Sequence, residues 1–146
     1  MNIEKISFNV IADWLKALIM DYGLSLEMLS NYLSLTREQI IWLSDGKLEF
    51  LSDENLDKGR LFDKTAALYL SATEDKDLKL AGFLDVLITH YHLSQETIAK
   101  MAGVEEREVG HLLQNRPGLI SENAKYRIAV TVMSLRFLLK DTADKI

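Results

Sequence analysis

The sequence predicts an all-α protein built from two tandem units of four helices each, at residues 1–73 and 74–146. Apolar residues recur every three to four positions, and no segment shows the two-residue alternation typical of a strand. The stretch that starts at Leu15 also matches the stretch that starts at Leu84, an offset of 69 residues. Self-similarity at this period indicates a duplicated helical unit.

The repeat extends beyond the apolar spacing that unrelated amphipathic helices share. The pattern Tyr-x-Leu-Ser-x-Glu begins at Tyr22 and again at Tyr91. The identical pairs along the two halves are Leu15/Leu84, Leu18/Leu87, Ile19/Ile88, Tyr22/Tyr91, Leu24/Leu93, Ser25/Ser94, Glu27/Glu96 and Leu43/Leu112. A shared polar junction favours duplication over chance similarity of helices.

The helices of the first unit are predicted at 8–21, 25–32, 36–43 and about 53–70. Gly23 ends the first helix, and Ser25 caps the second. Thr36 and Gln39 have the spacing of a capping box, which opens the third. Asp45-Gly46 predicts the turn before the fourth helix.

The second unit repeats this plan, with helices predicted at 77–91, 94–101, 105–114 and 122–140. Pro117-Gly118 breaks the chain, and Ser121 caps the last helix. That helix is apolar over more than one face, so it is expected to be buried on several sides. We predict that the units pack through their long fourth helices, with a homodimer as the alternative.

Composition limits the classes of function. The 146 residues are 48% hydrophobic and 27% charged, which suits a globular protein with a core. The net charge of −5 argues against strong non-specific binding to nucleic acid, because phosphate neutralisation drives that binding. Residues 1–75 carry a net charge of −6 and residues 76–146 a net charge of +1. Basic surface is therefore expected mainly in the second half.

We expect a soluble, cytoplasmic protein that does not associate with membranes. The chain has no cysteine, which excludes disulfides and thiolate metal sites. Its N-terminus has acidic residues and no cleavable apolar run. The most apolar stretch, 128–139, is interrupted by Arg136 and is shorter than the roughly 20 residues that span a bilayer.

One stretch of the second unit has the pattern of two short helices joined by a tight turn. Gly103 can adopt the left-handed backbone of such a turn, and Ala99 is small enough for the helices to cross closely. The pattern resembles the helix-turn-helix of the phage-repressor, Cro-like family of transcription regulators. The matching residues are Leu93, Ser94, Gln95, Glu96, Ile98, Ala99, Ala102, Gly103, Val104, Val109 and Leu112.

The first unit matches this pattern less closely. Its core positions are retained, but Ser30 and Leu33 replace the two alanines and Ser34 replaces the turn glycine. The resemblance therefore implies the same skeleton and leaves the crossing of its two helices open.

The resemblance also implies which residues contact DNA. In the second unit, Gln95 would contact phosphate, and Glu106, Arg107 and His111 would contact bases. After the motif, Asn115, Arg116, Lys125 and Arg127 could hold the DNA backbone. In the first unit, the resemblance offers Arg37, Glu38, Gln39 and Trp42 to bases. Glu105, Glu106 and Glu108 oppose contact with phosphates, although negative charge at Glu105 and Glu108 also suits a helix N-terminus.

Two functions follow from these observations. The first is a DNA-binding transcriptional regulator whose units act as an internal pseudo-dimer on double-stranded DNA, with half-sites about 34 Å apart. The alternative is a protein-interaction module, such as an antirepressor or a phage or plasmid accessory protein. The net charge of −5 and an exposed Trp42 would favour that alternative, because tryptophan is enriched at binding hot spots.

An enzyme is not expected. His90 and His92 lie two residues apart, so they do not share a helical face as metal ligands at i and i+4 would. The sequence also has no glycine-rich phosphate loop and no nucleophile motif. We therefore predict no cofactor, no metal and no catalytic residue.

Overall fold

The computed structural model describes residues 3–52 and 55–142 of the chain. Every regular element within these ranges is a helix, so the protein is all-α, as the apolar spacing predicts. The chain divides into two compact units, Met1–Thr73 and Glu74–Ile146. Each unit has its own hydrophobic core.

The first unit contains α1 to α4, at Ile3–Met20, Leu26–Leu33, Arg37–Ser44 and Lys58–Thr73, with a 3₁₀ helix at Glu49–Ser52. The Ser25 hydroxyl accepts a hydrogen bond from the Met28 N–H at 3.1 Å, which caps α2. Thr36 and Gln39 form the predicted capping box at the start of α3. Gly23 follows α1 with φ of +71°, a backbone conformation that favours glycine.

Two helix starts in the first unit differ from the prediction. Helix α1 begins at Ile3 rather than at Phe8, and the sequence spacing of Ile3, Ile6 and Val10 continues the helical period upstream. Helix α4 begins at Lys58, while the predicted start at residue 53 lies outside the described residues. The Asp57 carboxylate caps α4 by accepting from the Arg60 N–H at 3.0 Å.

The second unit contains α5 to α8, at Lys76–Thr89, Gln95–Ala102, Glu106–Leu113 and Glu122–Leu139, with a 3₁₀ helix at Pro117–Leu119. These bounds lie within two residues of the predicted ones. Asp75 caps α5 by accepting from the Leu78 N–H at 2.9 Å. Ser121 caps α8 by accepting from the Ala124 N–H at 3.1 Å, as predicted.

The two cores use equivalent positions of the repeat. Leu15 and Leu84, which are paired at the offset of 69 residues, are both fully buried. The first core consists of Phe8, Ile11, Leu15, Leu29, Leu33, Leu35, Ile40, Leu43, Leu51 and Leu61. The second consists of Leu80, Leu84, Leu87, Ile98, Ala99, Ala102, Val109, Leu112, Ile120, Ile128, Val132 and Leu135. In each unit the core fixes the two short middle helices against the longer ones.

Candidate nucleic-acid interface

The turn between α6 and α7 has the geometry that its glycine predicts. Gly103 has φ of +73°, and the following Val104 N–H donates to the Ala99 carbonyl at 3.0 Å. Ala99 and Ala102 are buried where the helices cross. The left-handed backbone at Gly103 therefore favours glycine, and a Cβ atom there would lie 3.1 Å from Nη1 at the flexible end of the Arg127 side chain.

The turn between α2 and α3 reaches the same conformation without glycine. Ser34 has φ of +56°, and the following Leu35 N–H donates to the Ser30 carbonyl at 3.2 Å. The Ser30 hydroxyl donates to the Leu35 carbonyl, so a polar group at the position of the expected alanine has a partner. The sequence left open how α2 and α3 cross. They are joined by a left-handed turn equivalent to the turn between α6 and α7.

Substitution of Ser34 by glycine is expected to raise the free energy of unfolding by roughly 0.5–1 kcal/mol. The left-handed conformation costs a non-glycine residue about 1–2 kcal/mol, which exceeds the entropic cost of glycine. Urea denaturation should show a higher midpoint with an unchanged slope. The reciprocal control, Gly103→Ser, should lower the midpoint, because the left-handed backbone at φ of +73° costs serine more than glycine. A lower midpoint for Ser34→Gly would contradict the strain assigned to this turn.

Two of the acidic side chains at the start of α7 bind other groups of the same helix terminus. The Glu108 carboxylate accepts from the Glu105 N–H at 3.1 Å, so this glutamate caps the helix, in agreement with the sequence analysis. The Glu105 carboxylate lies 2.6 Å from Nε of Arg107. Of the three glutamates, Glu106 alone has no hydrogen bond or ion pair described for its side chain, and it is exposed.

Arg107 and His111 lie one helical turn apart on the surface of α7. The Arg107 side chain is 75% exposed and its partner Glu105 is 65% exposed. An ion pair with this exposure contributes about 0–1 kcal/mol, so a phosphate or a base can replace Glu105 as the partner of Arg107. His111 is half-buried at the same surface.

Gln95, the first residue of α6, lies against the middle of α7. Its Oε1 atom is 3.5 Å from the place where a Cβ atom would stand on Gly110. That distance is an ordinary van der Waals contact, so the space beside Gln95 does not require glycine at position 110.

Asn115 and Arg116 lie at the opposite end of α7 from Glu106 and Arg107. The Asn115 N–H donates to the Leu112 carbonyl at 3.1 Å, and the Arg116 N–H donates to the His111 carbonyl at 2.8 Å. Asn115 has φ of +59°, so it terminates the helix in the left-handed conformation. The two side chains are exposed.

Lys125, a basic residue of α8, is held by carboxylates of its own unit. Its Nζ atom lies 3.2 Å from Glu122 and 3.4 Å from Asp77, and its side chain is only 16% exposed. Hydrogen bonds to Glu122 and then to Asp77 raise the pKa of Lys125, although partial burial opposes this shift. The Lys125 ammonium group is therefore engaged in ion pairs within its own unit and is little available to bind phosphate.

The corresponding helix of the first unit, α3, presents a different surface. Arg37 is exposed, with Nη2 3.8 Å from the Glu27 carboxylate. Gln39 is occupied as a cap, because its Oε1 accepts from the Thr36 N–H at 2.9 Å. Ile41 and Trp42 are each 43% exposed, and the Trp42 ring packs against Phe50 at 6.1 Å.

A protein-family model described as a helix-turn-helix domain matches residues 6–145, nearly the whole chain. The chain belongs to this helix-turn-helix family. No curated protein and no solved structure gives a significant match. Helix-turn-helix domains bind DNA by placing the second helix of the motif in the major groove, so the family supports a DNA-binding role in general terms.

In this helix-turn-helix protein, the second helix of the motif differs in chemistry between the two units. At the offset of 69 residues, Ile41 and Trp42 of α3 correspond to Gly110 and His111 of α7. The helix-turn-helix of the second unit thus exposes hydrogen-bonding side chains, whereas that of the first unit exposes apolar side chains beside Arg37.

Two further observations concern the described part of this helix-turn-helix protein. None of the helices in residues 3–52 and 55–142 is long and apolar enough to cross a membrane. Within the same ranges, no group of three or more histidine, aspartate or glutamate side chains could hold a metal ion.

Proposed function

We propose that this chain is a DNA-binding transcriptional regulator of the phage-repressor type, in which α7 of the second unit is the principal DNA-reading helix. The proposal rests on the local hydrogen bonding of acidic side chains at the start of α7. The Glu108 carboxylate caps the helix by accepting from the Glu105 N–H, so one of the three nearby carboxylates is engaged at the helix terminus whether or not Arg107 exchanges Glu105 for DNA. This arrangement reduces the repulsion that the sequence alone implies.

The surface available to DNA in the second unit combines three side chains. Arg107 can donate two hydrogen bonds to guanine or pair with phosphate, and Gln95 can hydrogen-bond to phosphate from the start of α6. His111, one turn after Arg107, supplies a further donor or acceptor. The exposed Glu106 can accept from the amino group of cytosine and would disfavour other bases.

We propose further that the two units arose by duplication and act as an internal pseudo-dimer on one DNA molecule. The equivalent left-handed turns at Ser34 and Gly103 support a common origin. Because α3 and α7 present different side chains, the two half-sites would differ in sequence. The target would then be an asymmetric site rather than a palindrome.

The proposal is tested by fluorescence anisotropy with mixed-sequence duplex DNA at about 50 mM and 200 mM salt. Binding that weakens steeply with salt is expected, because each released counterion contributes to the slope. No binding at 50 mM salt would overturn the proposal. A control with the same duplex in the presence of an unlabelled competitor separates real binding from an effect on the dye.

A second function is favoured by the surface of α3. Ile41 and Trp42 form an exposed apolar surface, and Glu27 and Glu38 are acidic residues on α2 and α3. A first unit of this kind suits contact with a protein that presents apolar and basic side chains. Under this function Trp42→Ala would leave DNA affinity unchanged, whereas under the pseudo-dimer it would lower that affinity.

A further inference from the structure

A small cavity lies beside the C-terminal end of α3 in the first unit. Its volume is about 240 Å³, and its described lining consists of Trp42, Lys47, Glu49 and Phe50. We call it the Trp42 cavity. Pockets for drug-sized ligands have volumes of roughly 300–1,000 Å³, so this one suits a smaller molecule. Apolar walls combined with a few polar groups are typical of small-molecule sites.

Two aromatic rings form the walls of the Trp42 cavity. The centroids of the Trp42 and Phe50 rings are 6.1 Å apart and the rings are inclined by 50°, so they diverge rather than stack face to face. Trp42 is 43% exposed, which leaves part of its side chain uncovered. An apolar or aromatic group that enters between the rings gains contact with both of them.

The local fold holds these walls in place. The Lys47 N–H donates to the Trp42 carbonyl at 2.8 Å, which closes the turn after α3. Gly46 in that turn has φ of +79°. Phe50 packs against the first core, and its neighbour Leu51 is buried within it. The cavity is therefore already formed without a ligand, which reduces the cost of ordering on binding.

Lys47 and Glu49 place opposite charges beside the aromatic walls. Both residues are exposed, and no hydrogen bond or ion pair is described for either side chain within residues 3–52 and 55–142. A complementary ligand offers a carboxylate to Lys47 and an ammonium group to Glu49. An α-amino acid carries both groups on one carbon atom, and an apolar side chain suits the aromatic walls.

The corresponding positions of the second unit retain only the cation. At the offset of 69 residues, the equivalents of the four lining residues are, in order, His111, Arg116, Gly118 and Leu119. The tryptophan, the carboxylate and the phenylalanine are therefore all replaced. The chemistry of the Trp42 cavity is specific to the first unit, so it is not a requirement of the helix-turn-helix skeleton.

We propose that the Trp42 cavity binds a free α-amino acid with an apolar side chain. That side chain enters between Trp42 and Phe50, the ammonium group pairs with Glu49, and the carboxylate pairs with Lys47. A cationic side chain of a partner protein is the competing occupant, but it would bring a like charge towards Lys47. DNA reading by α7 uses none of these residues, so the two proposals can fail separately.

Isothermal titration calorimetry of the full chain with L-phenylalanine tests the proposal. A dissociation constant between about 10 μM and 1 mM is expected for so small a ligand. Glu49→Gln and Lys47→Gln should each weaken binding by at least about 5-fold, because each removes one charged partner. Asp63→Asn and Lys16→Gln are the matched controls, since each removes an exposed charge of the same unit outside the cavity lining, and neither should change the affinity. No binding up to about 10 mM L-phenylalanine would overturn the proposal.

Modified ligands test which residue binds which charge. N-acetyl-L-phenylalanine lacks the ammonium group and L-phenylalaninamide lacks the carboxylate, so both should bind at least about 5-fold more weakly than L-phenylalanine. Glu49→Gln should not weaken the acetylated ligand further, and Lys47→Gln should not weaken the amide further, because the group that each residue binds is already missing. Tighter binding of N-acetyl-L-argininamide than of L-phenylalanine would overturn the proposal in favour of a cationic side chain from a protein.

The two tryptophans of the chain locate the ligand by NMR. Trp14 packs against Phe62 and Tyr69 and does not line the cavity. On addition of L-phenylalanine, the indole N–H signal of Trp42 should shift and that of Trp14 should not. Trp42→Phe removes one of the two signals and so assigns them. A shift of the Trp14 signal alone would place the ligand elsewhere and overturn the proposal.

Discussion

Replacement of Arg107 by alanine is expected to weaken binding to duplex DNA by about 5–100-fold. Arg107 is the exposed cation on the outward surface of α7, and its pairing with Glu105 is weak enough to be exchanged for a contact with DNA. Loss of a base contact by arginine costs about 1–3 kcal/mol, and loss of a phosphate contact reduces the salt slope by about one. Fluorescence anisotropy over a series of salt concentrations measures both quantities.

Lys100→Ala is the matched control for Arg107→Ala. Lys100 lies on α6 of the same unit, is 74% exposed and pairs with Glu96. It stands five residues after Gln95 and so on a different face of α6, which predicts little change in affinity. Glu106→Gln should act in the opposite direction and strengthen binding to mixed-sequence DNA, because it removes a carboxylate from the surface that meets phosphates. Equal effects of Arg107→Ala and Lys100→Ala would show that only net charge matters.

Replacement of Leu84 by alanine is expected to lower the free energy of unfolding of the second unit by about 2–5 kcal/mol. Leu84 is fully buried in α5, in a core shared with α6, α7 and α8. Truncation leaves a cavity that the surrounding residues fill only in part. Native-state hydrogen exchange should report reduced protection of amides in α5–α8.

Leu15→Ala provides the matched variant in the first unit. Leu15 occupies the equivalent position of the repeat and is also fully buried. Leu15→Ala should reduce the hydrogen-exchange protection of amides in α1–α4 by a similar amount. If either variant lowered the free energy of unfolding of its unit by less than about 1 kcal/mol, the central position of these two leucines in the cores would be contradicted.

The regular features of the fold could be predicted because they depend on local sequence. The apolar period and the caps at Ser25, Thr36 and Ser121 placed helix boundaries to within two residues in most cases. The 3₁₀ helix at Glu49–Ser52 was not predicted because it depends on tertiary packing, which buries Leu51 in the first core. Local propensity does not encode such a contact.

The sequence identified the residues of the candidate site more readily than it identified what each side chain does. Position on the motif selects Arg107 and His111, but it does not show that Arg107 pairs with Glu105 or that Gln39 is used as a cap. Each of these side chains has several partners within reach along the sequence, and the three-dimensional packing selects one. The position of the Gln95 side chain beside Gly110 of the neighbouring helix likewise required the structure.

An amide NMR titration of the full chain with a duplex DNA at about 50 mM salt locates the DNA-binding surface residue by residue. The largest shifts are expected at the start of α6 and along α7, around Gln95, Arg107 and His111. An absence of shifts in α6 and α7, with or without shifts elsewhere, would contradict DNA reading by the second unit.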